Sequence, residues 1–104
     1  MLFICGRNRK RSPTAEVVLR APGIETDSAG VRPDADVVVD PEQVAWADLI
    51  VLMENRYRKP LLDRVGGRAV RDKRIVSLDI ADDYEAMDPT LIALLRERFE
   101  RFVR

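Results

Sequence analysis

The chain has 104 residues, of which 18 are basic and 18 acidic, so its formal net charge is zero. This balance gives no reason to expect binding to nucleic acid or to a membrane surface. The hydrophobic fraction of 46% argues against disorder. A chain of this length is expected to fold as a single domain over residues 1–104.

The sequence contains one cysteine and no histidine. No internal disulfide can form, which fits a reducing compartment. Histidine-dependent catalysis and histidine-containing zinc sites are excluded. The first apolar run, residues 2–4, is too short for a signal peptide or a membrane span. We therefore expect a soluble cytoplasmic protein that works without a metal or a cofactor.

Four short runs of strand character alternate with helical patterns, which is typical of parallel βαβ units. The runs predict strands at residues 2–5, 24–28, 49–53 and 75–78. The second run alternates in character like an edge strand, whereas the third is uniformly apolar like a central strand. With right-handed crossovers, these features predict a three-layer αβα fold of the α/β class. Its four-stranded parallel sheet would have the order 2-1-3-4, as in flavodoxin-like proteins.

Three helices are predicted to start where a polar residue precedes proline, at positions 12–13, 40–41 and 88–89. Ser12 would begin the first helix, whose apolar positions continue at helical spacing to Pro22. Asp40 would open a capping box. A further helix over about residues 55–64 ends at a Gly-Gly pair, and Pro60 either interrupts it or marks its start.

The segment between the first strand and the first helix combines a cysteine with cations. A helix N-terminus and a tight loop before it bind anions through free backbone N–H groups. Gly6 permits close backbone approach, and Asn8 tolerates a left-handed conformation. The positive field favours the thiolate of Cys5, and the guanidinium of Arg11 can hold two phosphate oxygens. The loop ending at Ser12 therefore predicts a nucleophile with its oxyanion clamp.

The motif Cys5-x5-Arg11-Ser12 directly after the first strand resembles the low-molecular-weight protein tyrosine phosphatase family. The family's Pro-x-Ala-Glu continuation is matched at residues 13–16. Further matches in order are Ser-Ala-Gly at 28–30, Trp-Ala-Asp-Leu-Ile at 46–50, and Asp-Asp-Tyr at 82–84, where the family has Asp-Pro-Tyr. The resemblance touches nearly the whole chain and implies a phosphatase I-like fold and phosphatase activity.

The resemblance also implies roles for the matched residues. Cys5 would attack phosphorus and form a thiophosphate intermediate, Arg11 would stabilise the transferring group, and Asp82 would be the general acid. Asp79 and Asp83 are rivals of Asp82 for that role. The residues predicted to bind the phosphate or to support its loop are Gly6, Arg7, Asn8, Arg9, Lys10, Ser12, Ser28 and Tyr84. The partner would be a phosphorylated protein or a small phosphomonoester.

The chain departs from the family in the walls of the predicted pocket. Residues 31–36 lack the family's aromatic side chains, and Lys10 replaces a second cysteine. A wall without rings predicts a shallower and less apolar pocket. The cations Arg7, Arg9 and Lys10 at its mouth predict a preference for polyanionic substrates.

Two other functions are compatible with such a loop. An arsenate reductase of this fold relays oxidation through additional cysteines of its own chain, and this chain has none to offer. A module that binds phosphate without turnover is the second alternative, and it belongs to a different functional class. Retention of phosphate binding without hydrolysis would distinguish it from a phosphatase.

Overall fold

The structure, a computed structural model, describes residues 1–103 apart from the side chain of Val103. Within this range, four parallel strands form one sheet: β1 (Leu2–Cys5), β2 (Asp27–Gly30), β3 (Leu49–Leu52) and β4 (Arg74–Ser77). Their order is β2-β1-β3-β4, which confirms the predicted topology. The carboxyl end of β1 therefore lies between the ends of β2 and β3.

Helices cover both faces of the sheet. They are α1 (Arg11–Val18), α2 (Pro41–Trp46), α3 (Arg58–Val65, preceded by a 3-10 turn at Asn55–Tyr57), α4 (Gly67–Val70) and α5 (Pro89–Val103). The connection from β1 to β2 runs along the sheet in one direction, whereas the connections from β2 to β3 and from β3 to β4 run in the other. Because such crossovers are right-handed, α1 lies on one face of the sheet and α2 to α4 lie on the other. α5 packs against α1, whereas α4 packs against α2 and α3. The predicted three layers are thus confirmed.

No helix in the described range is long and apolar enough to cross a membrane.

The central strands form the middle of the hydrophobic core. Every residue of β1 is buried, and the last three residues of β3 are fully buried. Phe3 of β1 contacts Phe99 of α5 edge to face, with ring centroids 6.3 Å apart. Fully burying one such side chain contributes about 1.5–3 kcal/mol. The buried end of β1 thereby provides a rigid base for Cys5.

The edge strand is displaced from its predicted position. It was expected at residues 24–28, but β2 occupies Asp27–Gly30. In the register of β2 with β1, Leu2 pairs with Asp27 and Cys5 pairs with Gly30. The strand therefore ends beside Cys5. Ile24 is 48% exposed and belongs to a turn with Ala21. The other strand predictions are correct to within one residue at each end.

Two of the three predicted helix starts are confirmed. The Asp40 carboxylate accepts a hydrogen bond from Gln43 N at 2.8 Å, as a capping box requires, and the Asp88 carboxylate accepts from Thr90 N at 2.7 Å. The predicted start of the first helix at Ser12 is wrong, because α1 begins at Arg11. This helix also ends at Val18, before the predicted Pro22. The hydroxyl of Ser12 lies against Cys5 instead of capping the helix.

The remaining helical region has two features that the sequence pattern did not resolve. Pro60 is the third residue of α3. It lies in the first turn, where a backbone N–H needs no helical partner. The Gly-Gly pair ends α3 as predicted, but a short helix, α4, follows at once.

Gly30 is required by the close approach of β2 to the loop after β1. A Cβ atom at this position would lie 2.5 Å from the Gly6 carbonyl oxygen and 2.7 Å from the Ala35 Cβ. We expect Gly30→Ala to lower the free energy of unfolding by about 1–3 kcal/mol, as overpacking does. Gly67→Ala is the matched control, because nothing lies within 4 Å of a Cβ there. Equal urea midpoints for both variants would contradict this account.

Candidate active site

The loop between β1 and α1 turns its carbonyl groups away from the site. The carbonyl oxygens of Cys5, Gly6 and Arg7 accept hydrogen bonds from the backbone N–H groups of Val31, Arg32 and Asp36, at 3.1, 3.0 and 3.0 Å. Because each trans peptide unit is planar, its N–H points opposite to its C=O. The next N–H groups of the loop therefore face inward. The N–H of Asn8 shows this direction directly, since it donates to the Cys5 sulfur at 3.2 Å.

A chain of hydrogen bonds connects Cys5 to the carboxylate of Glu16. Asn8, in a left-handed conformation with φ of 57°, donates its two side-chain N–H groups to the hydroxyl oxygens of Ser12 and Ser28, at 3.0 and 2.9 Å. The Ser28 hydroxyl donates to Glu16, whose carboxylate only accepts. The Ser12 proton is then free to donate to the Cys5 sulfur, 2.9 Å away. The Cys5 sulfur is then the hydrogen-bond acceptor at the end of this chain, which suits a negatively charged sulfur.

The Arg11 guanidinium is buried, with 2% exposure, and most of its donors have partners. Its NH1 donates to the Glu54 carboxylate and to the Ile80 carbonyl oxygen, and its NH2 donates to the Tyr57 hydroxyl at 2.6 Å. The Nε lies 3.6 Å from the Asp82 carboxylate, in an ion pair. Five N–H groups are present in a guanidinium. The Nε–H and one NH2 proton therefore remain on one edge for a bound oxyanion.

Glu54 balances the charge of this buried cation. Its pKa is lowered, first by a hydrogen bond from Arg56 and then, against the opposing effect of partial burial, by Arg11. The pKa of Arg11 is raised, because interactions with Tyr57, Glu54 and Asp82 together outweigh the lowering caused by burial. Both members of the pair are therefore charged at neutral pH.

The side chains surround a cleft of about 480 Å³. Its lining residues are Cys5, Gly6, Arg7, Arg9, Lys10, Arg11, Arg32, Arg56, Tyr57 and Asp82. Seven of the residues proposed from the sequence thus meet here, while Asn8, Ser12 and Ser28 lie buried around the Cys5 loop. Among the described residues, no group of three or more His, Cys, Asp or Glu side chains could hold a metal ion.

The acidic segment after β4 contributes less to the cleft than its sequence suggests. Of the three rival carboxylates, Asp82 lines the cleft, and Asp79 and Asp83 do not. Asp79 accepts a hydrogen bond from Ser77 instead. Tyr84 is half-buried against the hydrophobic core and is not a lining residue.

Four residues of the site were not among those predicted from the sequence. Glu54, Arg56 and Tyr57 follow β3, and Arg32 follows β2. Tyr57 provides the ring that residues 31–36 do not, and its hydroxyl accepts hydrogen bonds from both Arg11 and Arg56. The signal for Glu54 was present, because it is the first charged residue after a uniformly apolar strand adjacent to β1.

Solved structures share this architecture over almost its full length. Wzb from Vibrio vulnificus, solved with benzylphosphonate, is 20% identical, with a TM-score of 0.78 over 97% of this chain and 94% of its own. A low-molecular-weight phosphotyrosine phosphatase from Vibrio cholerae is 20% identical, with a TM-score of 0.70 over 98% and 92%. The arginine phosphatase YwlE from Geobacillus stearothermophilus is 22% identical, with a TM-score of 0.71 over 98% and 90%. The predicted fold, that of the low-molecular-weight phosphatases, is confirmed.

Comparison of the sequence alone is less informative. No protein-family model matches the chain, and no curated protein matches it either.

Glu54→Gln tests the balance of charge around Arg11. We expect this variant to lose about 1–3 kcal/mol of unfolding free energy at neutral pH, because a charge-assisted bond to a buried cation is weakened. The pKa of Glu54 is lower in the folded than in the unfolded protein. Its ionised carboxylate therefore stabilises the fold at pH values above the unfolded-state pKa, and this stabilisation is lost as the pH falls through the folded-state pKa. The difference from the parent protein should therefore shrink as the pH falls below 4.5, the ordinary value for this group.

Urea unfolding at several pH values measures this difference. Glu97→Gln is the matched control, because Glu97 forms an exposed ion pair with Arg101. Such pairs contribute about 0–1 kcal/mol. A loss in Glu54→Gln that is no larger than in the control, or that does not change with pH, would contradict the assignment.

Proposed function

We propose that this protein is a cysteine-dependent phosphomonoester hydrolase. One observation carries the proposal: Cys5, Arg11 and Asp82 line the same cleft, and the Arg11 Nε lies 3.6 Å from the Asp82 carboxylate. A nucleophile, an oxyanion clamp and a proton donor are the three parts that phosphoryl transfer to a side chain needs. The fold shared with known phosphatases supports the proposal.

In the first half of the reaction, the Cys5 thiolate attacks phosphorus. An S–P bond forms and the ester P–O bond breaks, while Asp82 gives its proton to the leaving oxygen. The Nε–H and NH2 edge of Arg11 and the inward N–H groups of the loop hold the phosphoryl oxygens. The Ser12 hydroxyl stabilises the sulfur before attack and after release.

In the second half, water hydrolyses the thiophosphate. The Asp82 carboxylate takes a proton from the water, whose oxygen bonds to phosphorus as the S–P bond breaks. Inorganic phosphate leaves, and the thiolate and the protonated acid are restored. The free thiol of Cys5 suits a reducing compartment such as the cytoplasm.

A binding module is the second candidate, and the ion pair between Arg11 and Asp82 favours it. In the structure, the carboxylate that would donate a proton is instead paired with the cation that would grip the phosphate. If a bound phosphate does not displace Asp82 toward the leaving oxygen, the loop binds phosphate without turnover. Measured turnover decides between the two functions.

Hydrolysis of p-nitrophenyl phosphate at mildly acidic pH tests the mechanism. We expect Cys5→Ser to abolish turnover, because the hydroxyl is a much weaker nucleophile. Asp82→Asn should lower kcat by about 10²-fold or more, since it keeps the shape but not the proton. Asp83→Asn is the matched control and should retain the parent rate. Phosphate binding without turnover in the intact protein would establish the module, and turnover surviving in Cys5→Ser would exclude the thiophosphate route.

The substrate class follows from the cations around the cleft. Five of them are paired with nearby carboxylates: Arg7 and Arg32 with Asp34, Arg9 with Asp36, Lys10 with Glu85, and Arg56 with Glu54. Most of these pairs are exposed, and exposed pairs exchange readily for a substrate carboxylate or phosphate. Phosphatases for different residues share this fold, so the fold does not select a substrate. We propose a phosphorylated protein or small phosphomonoester with additional negative charge.

Substitution at the mouth of the cleft tests this preference. Arg9→Ala and Lys10→Ala should each lower kcat/KM for an acidic phosphopeptide, relative to p-nitrophenyl phosphate, by about two- to fivefold. Lys59→Ala is the control, because its exposed pair with Asp63 does not line the cleft. An unchanged ratio in both cleft variants would show that these cations do not select the substrate.

A further inference from the structure

The segment that carries Asp82 is anchored firmly at its start. Ile80 is buried, its N–H donates to the Met53 carbonyl oxygen at 2.8 Å, and its own carbonyl oxygen accepts from Arg11 at 2.7 Å. Arg98 of α5 donates to the carbonyl oxygens of Leu78 and Asp79, at 2.8 and 2.9 Å. These bonds fix the chain two residues before Asp82.

The end of the same segment is held by a side chain of α1. The backbone N–H of Met87 donates to the hydroxyl oxygen of Thr14 at 3.0 Å. Met87 adopts φ of 61°, a left-handed conformation that is uncommon for a residue other than glycine. A residue in such a conformation is retained only when its surroundings hold it. The hydrogen bond that Met87 donates to Thr14 is one of the contacts that hold it.

The chemistry of the Thr14 hydroxyl makes this bond specific. Thr14 is 1% exposed, and its hydroxyl donates its one proton to the Lys10 carbonyl oxygen at 2.6 Å. Only its lone pairs then remain, so it can accept from Met87 but cannot donate. The hydroxyl therefore joins the end of the Cys5 loop to the end of the Asp82 segment. A second side-chain link near this end of the segment, Lys10 with Glu85, is exposed and contributes little.

We propose that Thr14 is a positioning residue for Asp82, an inference that depends on the hydrolase function proposed above. Arg11 and Thr14 hold the two ends of the Asp82 segment from the same turn of α1. The distance of Asp82 from the nucleophile loop is thus set from one rigid element. Without the Thr14 hydroxyl, the segment loses its second anchor. The Lys10 carbonyl oxygen keeps the hydrogen bond from the Thr14 backbone N–H at 3.1 Å, and the hydrogen bonds around Cys5 do not involve Thr14. The expected defect is in proton donation and not in phosphate binding.

The test compares Thr14→Val with Thr14→Ser. Valine keeps the shape and loses the hydroxyl, whereas serine keeps the hydroxyl. Esters with poor leaving groups need the general acid most. We expect Thr14→Val to lower kcat/KM for phenyl phosphate about tenfold more than for p-nitrophenyl phosphate, because a misplaced general acid slows the cleavage step that needs it most. Inhibition by inorganic phosphate should be unchanged, and Thr14→Ser should restore the parent leaving-group dependence.

A double variant shows whether Thr14 acts through Asp82. If it does, Thr14→Val combined with Asp82→Asn should be no slower than Asp82→Asn alone. The proposal is overturned if Thr14→Val lowers kcat/KM equally for both esters, weakens phosphate inhibition, or adds its full effect to that of Asp82→Asn. It is also overturned if Thr14→Ser behaves like Thr14→Val.

Amide hydrogen exchange separates failure of this inference from failure of the proposed function. The Met87 amide should exchange faster in Thr14→Val and at the parent rate in Thr14→Ser. An unchanged rate in Thr14→Val would overturn the anchoring, whatever the activity. Absence of turnover for either ester in the parent protein would instead overturn the hydrolase function, and the positioning role for catalysis with it.

Discussion

A guanidinium group at 2% exposure remains stable in a protein only when its donors are paired, because an unpaired buried charge costs several kcal/mol. Arg11 meets this requirement with Glu54 and Tyr57 after β3 and with Ile80 after β4. One side chain from α1 therefore ties together the segments that follow two strands. The same pairing leaves the Nε–H and one NH2 proton without a hydrogen-bond partner, on the edge of the guanidinium that lies near the Asp82 carboxylate. Structural support and the proposed anion binding therefore use different donors of one group.

The parts of the site that follow from local sequence were predictable. A strand that ends at Cys5, an Asn that tolerates positive φ and an Arg at the start of a helix are properties of one short segment. Topology then extends the argument, because strand order 2-1-3-4 places the ends of β2 and β3 on either side of Cys5. Local sequence and strand order thus indicate the same position for the site, which explains why the fold and the nucleophile loop could be inferred together.

The parts that depend on tertiary register were not predictable in the same way. β2 pairs from Asp27 because Leu2 sets its register, although residues 24–28 have an equally strand-like pattern. Ser12 precedes proline, as helix caps often do, but the acceptor at Cys5 takes its hydroxyl. Glu54 and Arg56 look like surface charges in the sequence. Their roles become visible only when the Arg11 guanidinium is seen between them and Tyr57.

The central claim is that Cys5 receives the phosphoryl group. Rapid acid quenching of the intact protein during turnover of p-nitrophenyl phosphate, followed by peptide mass spectrometry, tests it most directly. The account predicts the added mass of one phosphoryl group on the peptide that contains Cys5, formed within a single turnover and lost as substrate is exhausted. Continued turnover with Cys5 unmodified at every quench time, or with the phosphoryl group on another residue, would contradict it.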